Sequence, residues 1–207
     1  MEVKTSLPHA EIIAVDDGST DGTGEKIAAM QGVRLISLTQ NLGQSAALFA
    51  GLQAATGEII AMMDGDGQND PADIHRLVAA LDHADVAYGF RAVRRDDWKR
   101  RLASRLANAI RRRALGDHAT DTGCSLKVIR KKHVHFLIPF DGLHRYLPAL
   151  FERAGLKFSE IPVGHRPRKT GVSKYTINGR ALRGLIDLVG VRWIMNRMII
   201  WPSDFKK

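Results

Sequence analysis

Ile59-Ile60-Ala61-Met62-Met63-Asp64-Gly65-Asp66-Gly67-Gln68-Asn69-Asp70-Pro71 is an apolar run that stops abruptly at two carboxylates spaced i, i+2. Read as a strand, the run sends side chains at i and i+2 to the same side. Asp64 and Asp66 are then expected to project together from its C-terminal edge, which is where open α/β sheets bind ligands. Two adjacent carboxylates repel each other, and a hard divalent cation relieves the repulsion. Gly65 and Gly67 leave the backbone bare for a close approach, and Gln68 adds a neutral oxygen. The stretch points to Mg²⁺ or Mn²⁺ on Asp64, Asp66 and Gln68, a cation that usually completes its shell with substrate phosphates. The plainer alternative is a polar turn after a strand, with Pro71 in the first turn of the next helix.

Working outward, residues 11–15 read as a strand ended by Asp16-Asp17-Gly18-Ser19. Ser19, Thr20 or Asp21 can cap a helix that runs to about Met30. Residues 33–38 form a second strand, Asn41-Leu42-Gly43-Gln44 a turn, and 45–55 an Ala-rich helix. The third strand covers 58–63, a helix follows to about Leu81, and 85–90 form a fourth strand. This alternation with short connections predicts an α/β domain with a mostly parallel sheet and helices on both faces. Beyond Arg91 the spacing predicts a basic helix over 97–115, a short strand over 123–128, a helix over 143–154 and a strand over 157–163. A basic loop spans 165–174. An amphipathic helix spans about 176–201, either packed on the sheet or lying in a membrane interface with Trp193, Ile199 and Trp201 inserted. No repeat or long linker divides the 207 residues, so a single domain over 1–207 is expected.

The apolar fraction of 44% and charged fraction of 26% are ordinary for a soluble globular chain. The one cysteine, Cys124, excludes an internal disulfide framework and a cysteine-based zinc site, and reads as a small buried residue. No apolar h-region occupies the first twenty residues, and no charge-free run approaches the roughly 18 residues of a spanning helix. The net charge of +9 calls for an anionic partner: nucleic acid, anionic lipid or a phosphorylated substrate. Ten Lys and Arg residues lie between Arg91 and Arg113 against only Asp96 and Asp97, whereas the first seventy residues are acidic to neutral. His133 and His135 read as surface residues, and His144 and His165 as structural.

Each of the first three strands thus ends in polar residues, and in a parallel sheet those ends share one edge. There is no Gly-x-Gly-x-x-Gly and no Gly-Lys-Ser/Thr phosphate loop. A nucleotide is therefore expected to be held by metal and carboxylates. In order along the chain, Val15-Asp16-Asp17-Gly18-Ser19-Thr20-Asp21-Gly22-Thr23, Asn41-Leu42-Gly43 and Asp64-Gly65-Asp66-Gly67-Gln68 resemble the family 2 glycosyltransferases. Gly89-Phe90-Arg91, Arg100 with Ser104 and Asn108, Asp121-Thr122-Gly123-Cys124, and Arg168 through Gly171-Val172-Ser173-Lys174-Tyr175 extend the likeness toward the dolichol- and polyprenyl-phosphate enzymes.

The resemblance implies a GT-A fold and an inverting transfer from a nucleotide-sugar, GDP-mannose or a UDP-sugar, to dolichyl or polyprenyl phosphate. The place implied is the cytoplasmic, inner face of a membrane. It implies catalytic roles for Asp66, Arg91, Arg100 and Asp121. Asp16, Asp17, Ser19, Asn41, Gly43, Asp64, Arg168 and Lys174 are implied at the donor, and Arg91, Arg100 and Ser104 at the acceptor phosphate. A phosphate monoester, with a second pKa of about 6 by analogy with phosphorylated side chains, is already anionic and needs no strong base. Relatives of this kind begin with an apolar strand ending in Pro-x-Tyr-Asn-Glu. Here Met1 lies only ten residues before Glu11, so the first strand of the sheet is expected to be missing and the 207-residue form to be poorly stable or inactive. Three other readings stand beside this one: a saccharide acceptor, a catalytically silent remnant, and a nucleic-acid-binding protein built on the basic helix. The last leaves the strand-end carboxylates unexplained, and no nucleic-acid partner is expected.

Overall fold

Residues 2–92, 98–167 and 177–200 are described in the computed structural model, except for the side chains of 98–105 and 177–183. A short helix, α1 (Glu2–Ser6), precedes β1 (Ile13–Asp16), which passes through α2 (Thr23–Ala28) into β2 (Arg34–Ser37). β1 and β2 pair in parallel, with Ile13 opposite Arg34 and Asp16 opposite Ser37. The chain then runs through α3 (Gln44–Ala54), β3 (Ile59–Met62), α4 (Asp73–Ala80), β4 (Val86–Arg91) and α5 (Trp98–Leu115). It ends in β5 (Lys127–Arg130), α6 (Leu143–Arg153), β6 (Phe158–Val163) and α7 (Ile177–Arg197).

The larger sheet has the order β3-β5-β4-β6. β4 and β6 are parallel, whereas β5 runs antiparallel to both β3 and β4. The sheet is therefore less uniformly parallel than the alternating sequence predicts, and β5 begins at Lys127, later than the expected 123–128. The cause is the connection. α5 and the residues after it bring Asp121 back to Arg91 at the C-terminal end of β4, and the chain enters β5 from that same edge.

Among the described residues β1 pairs only with β2 and β3 only with β5, so the sheet is interrupted between β1 and β3. α3 spans the interruption. A Cβ on Gly51 would sit 3.4 Å from Val15 of β1, while Leu52 joins the core that holds Ile60 and Met62 of β3. Below α3, the Glu11 carboxylate accepts from the Thr56 amide and hydroxyl, both at 2.8 Å.

Side chains alternate across the larger sheet as the pleat requires. Val86, Tyr88 and Ile129 face α3, α6 and α7, and Ala87, Leu126 and Val128 face α4. Phe151 of α6 stacks on Tyr88 at 6.5 Å and meets Phe136 edge-on at 5.9 Å. His133, expected on the surface, is buried beside Asp85 at 3.4 Å, and burial lowers its pKa. The last helix ends at Arg197, short of the expected residue 201. Val191 and Met195 turn into the core, while Ile186 (64% exposed), Val189 (72%) and Trp193 (61%) turn to solvent.

Phe151→Ala should remove about 3–5 kcal/mol of stability, because the aromatic stack cannot close over the void. Urea unfolding should show a lower midpoint with an unchanged slope.

Candidate active site

The strand β3 stops at Met62, so Asp64 and Asp66 lie in the turn beyond it. Strand alternation therefore does not bring them together. The turn does, with Gly67 at φ +74°, a left-handed conformation that side-chain-bearing residues rarely adopt. The Asp64 amide donates to Ser125 Oγ at 3.2 Å, and its Oδ1 accepts from Gln44 Nε2 at 2.8 Å. Asp66 Oδ1 accepts from the Gln68 amide at 3.1 Å. Asn69 Nδ2 donates to the same Ser125 hydroxyl at 2.8 Å. The segment after β6 closes the other side: the Arg166 amide donates to the Gln68 carbonyl at 2.8 Å, and Asn69 bridges His165. Asp64, Asp66, Gln68, Arg91, Ser125 and His165 line one cavity of about 250 Å³, counting its open mouth.

Arg91 enters this cavity under restraint. Asp121, itself buried, grips it in a fork: Nε to Oδ2 at 2.8 Å and Nη2 to Oδ1 at 2.9 Å, with the Arg91 amide on Oδ2 at 3.2 Å. Such bidentate ion pairs fix direction as well as charge. Gly123 makes room for it, since a Cβ there would stand 2.9 Å from Arg91 Nη2. Asp121 therefore orients the arginine. Cys124 is buried against the cavity, and burial pushes its thiol pKa up, which makes it an inert thiol.

Of the residues implied at the donor, Asp16, Asp17, Ser19, Asn41 and Gly43 gather at the neighbouring edge, outside the cavity lining. Asp16 is buried and accepts from the Ser19 amide at 3.3 Å. Asp17 takes the amides of Leu42 and Gly43, both at 2.8 Å, and so joins the end of β1 to the turn at Asn41 and Gly43. Both carboxylates thus set the shape of these turns. Ser19 and Asn41 are exposed there. The side chains of Arg100 and Ser104, and residues Arg168 and Lys174, lie outside the described residues.

His165 is a site residue that the sequence reading assigned to structure. A lone histidine after a strand carries no spacing signal, and only the pairing with Asn69 places it. Its Nε2 lies 3.3 Å from Gln68 Nε2. His144 is structural: its Nδ1 takes the Ser45 hydroxyl at 2.8 Å, and that hydroxyl accepts the Gly142 amide at 3.0 Å.

Among the described residues no three His, Cys, Asp or Glu side chains converge as a metal-holding group. Two carboxylates, an amide and an imidazole on one wall do fit a cation that shares its shell with a bound anion, as magnesium sites do.

A family profile described as Glycosyl transferase family 2 matches residues 3–137. The chain is 39% identical over 203 residues to the dodecaprenyl-phosphate galacturonate synthase of Rhizobium johnstonii, a match that covers 92% of this chain and 59% of that protein. It is 38% identical over 189 residues to the undecaprenyl-phosphate 4-deoxy-4-formamido-L-arabinose transferase of Aeromonas hydrophila subsp. hydrophila, covering 88% and 56% respectively. The chain thus spans under two thirds of the length of these relatives. The fold is similar to that of glucosyl-3-phosphoglycerate synthase from Mycobacterium tuberculosis solved with uridine diphosphate, with a TM-score of 0.67 at 23% identity over 91% of this chain and 74% of that one. The same enzyme solved with Mn²⁺ and UDP-glucose gives a TM-score of 0.67 at 22% identity over 92% and 73%.

Burial, and then the cations of Arg145 and Lys127, lower the His144 pKa from 6.5 to about 4. The unfolded chain therefore binds this proton first. The stability tied to neutral His144 is complete above pH 6.5 and is lost as pH falls toward 4. The loss should be on the order of 2–3 kcal/mol. Urea midpoints compared at pH 7 and 4.5 should show a shallower decline in His144→Gln than in the wild type.

Proposed function

Because the chain belongs to glycosyltransferase family 2, we propose that it moves a glycosyl group from a UDP-sugar to polyprenyl phosphate, with inversion and with Mn²⁺ or Mg²⁺ bound. The observation that carries this reading is the single cavity shared by the acids Asp64 and Asp66 and the clamped Arg91. Such a pocket suits a reaction in which one anion departs while another arrives. The names of the two bacterial relatives supply the acceptor class, and the ligands of the similar solved structures supply UDP and the metal.

Asp64, Asp66 and Gln68, with His165 beside them, would hold the cation. When bound, it supplies positive charge where the diphosphate leaving group develops its negative charge. Gln44 fixes the orientation of the Asp64 carboxylate and Ser125 fixes its backbone. Arg91, held by Asp121, presents a directed cation to the acceptor phosphate. Asp121 is not the base, because both its oxygens grip the guanidinium. None is required, since the acceptor oxygen is already anionic. In this reading Arg100 and Ser104 extend the acceptor site, and Arg168 and Lys174 reach the diphosphate.

A lipid-linked acceptor requires access to a bilayer, and in this proposal the chain sits peripherally on it. No helix among the described residues is long and apolar enough to cross a membrane. The solvent face of α7 offers Ile186, Val189 and Trp193 instead, with Arg197 stacked 5.2 Å over the Trp193 ring. An apolar stripe beside arginines is the arrangement of an interfacial helix.

Transfer of labelled sugar from a UDP-sugar panel into undecaprenyl phosphate, followed by organic extraction, tests the reading. Asp66→Asn or chelation should lower the rate about 100-fold or more, equivalent to ~2.7 kcal/mol of barrier. Transfer that is indifferent to both would overturn it. On vesicles containing anionic phosphatidylglycerol, Ile186→Glu combined with Trp193→Glu should abolish co-flotation without lowering the melting temperature, since both side chains face solvent.

A further inference from the structure

Lys127 is a buried cation for which the mechanism above has no use. It opens β5, the strand between β3 and β4, with Met62 opposite on one side and Tyr88 on the other. By strand alternation it shares the face of Ile129, within the apolar core under α3 and α6. It is 3% exposed. A methionine would fill such a slot without cost, whereas an ammonium there loses its hydration and must be repaid by a specific contact.

Among the described residues that contact is singular: Nζ donates to the carbonyl of Cys124. Of the three N–H donors one is matched by this carbonyl, so the ammonium's placement depends on it. Its position explains what it ties. Cys124 stands between Asp121–Gly123, which shape and hold Arg91, and Ser125, whose hydroxyl holds the Asp64 amide and the Asn69 side chain. The carboxylates of Asp121 and Asp64 also act on the ammonium electrostatically, opposing the lowering of its pKa by burial.

We propose that Lys127 is a positioning residue of the site: by holding the Cys124 carbonyl from below, its ammonium fixes the 121–125 turn that carries both the Arg91 clamp and the Asp64 anchor. The functional consequence rests on the donor-site reading above, while the tie itself does not. Removing the tie lets the two halves of the cavity drift apart without emptying the core.

The test compares wild type, Lys127→Met and Lys127→Arg in three measurements on the full chain. These are melting temperature, amide hydrogen exchange without ligand, and calorimetric binding of UDP in excess Mn²⁺. Lys127→Met should melt within a few degrees of wild type. Its amides between 121 and 126 should exchange at least tenfold faster while those of the β4–β6 pairing are unchanged, and UDP should bind at least tenfold more weakly. Lys127→Arg, which keeps a charged donor, should stay within threefold of wild type in both exchange and binding.

Unchanged exchange at 121–126 in Lys127→Met overturns the proposal. So does uniform acceleration across the whole sheet, which marks a merely structural lysine. If Lys127→Met does not fold, Lys127→Arg decides: rapid exchange at the turn despite the retained charge overturns the proposal, and retained protection supports it. If the wild type binds no UDP, the donor reading fails, and the exchange data alone decide the tie.

Discussion

Arg91 and Asp121 are 30 residues apart, and their fork determines how the second half of the molecule is assembled. The pair fastens the end of β4 to the turn that precedes β5. That turn then delivers Ser125 to the acids beyond β3. A guanidinium held through both nitrogens of one edge has a fixed direction, so the positive wall of the cavity is aimed by Asp121. The same fork explains why β5 enters the sheet against the direction of its neighbours: the chain returns to the edge it had left.

Much of the fold was legible because hydrophobic period survives in single segments. The apolar runs at 59–62 and 86–90 and the apolar side of α4 announce their elements with only small errors at the ends. The direction of β5 was not legible, because an alternating strand reads alike in either direction. Its first residue misleads further, since a lysine at a sheet centre looks like the end of a strand. His133 misleads in the same way, as burial beside Asp85 depends on a neighbour 48 positions away.

The candidate site was legible in its residue types and less so in their duties. Asp64 and Asp66 stood out by their glycines, yet it is a turn and not a strand that gathers them. Asp16 and Asp17 looked like ligands because acids at strand ends often are. Their oxygens also hold backbone amides: Asp16 that of Ser19, and Asp17 those of Leu42 and Gly43, the latter a duty invisible until that turn lies alongside. Gly123 belongs to a recognisable motif, and its reason is steric: a guanidinium occupies the space of its missing side chain.

The solitary thiol of Cys124 sits at the seam between the two walls of the cavity, almost sealed from solvent. With no second cysteine in the chain, alkylation chemistry has a single address. The rate at which a reagent marks it is a clock for the transient parting of that seam, timed from inside the molecule and without any substrate.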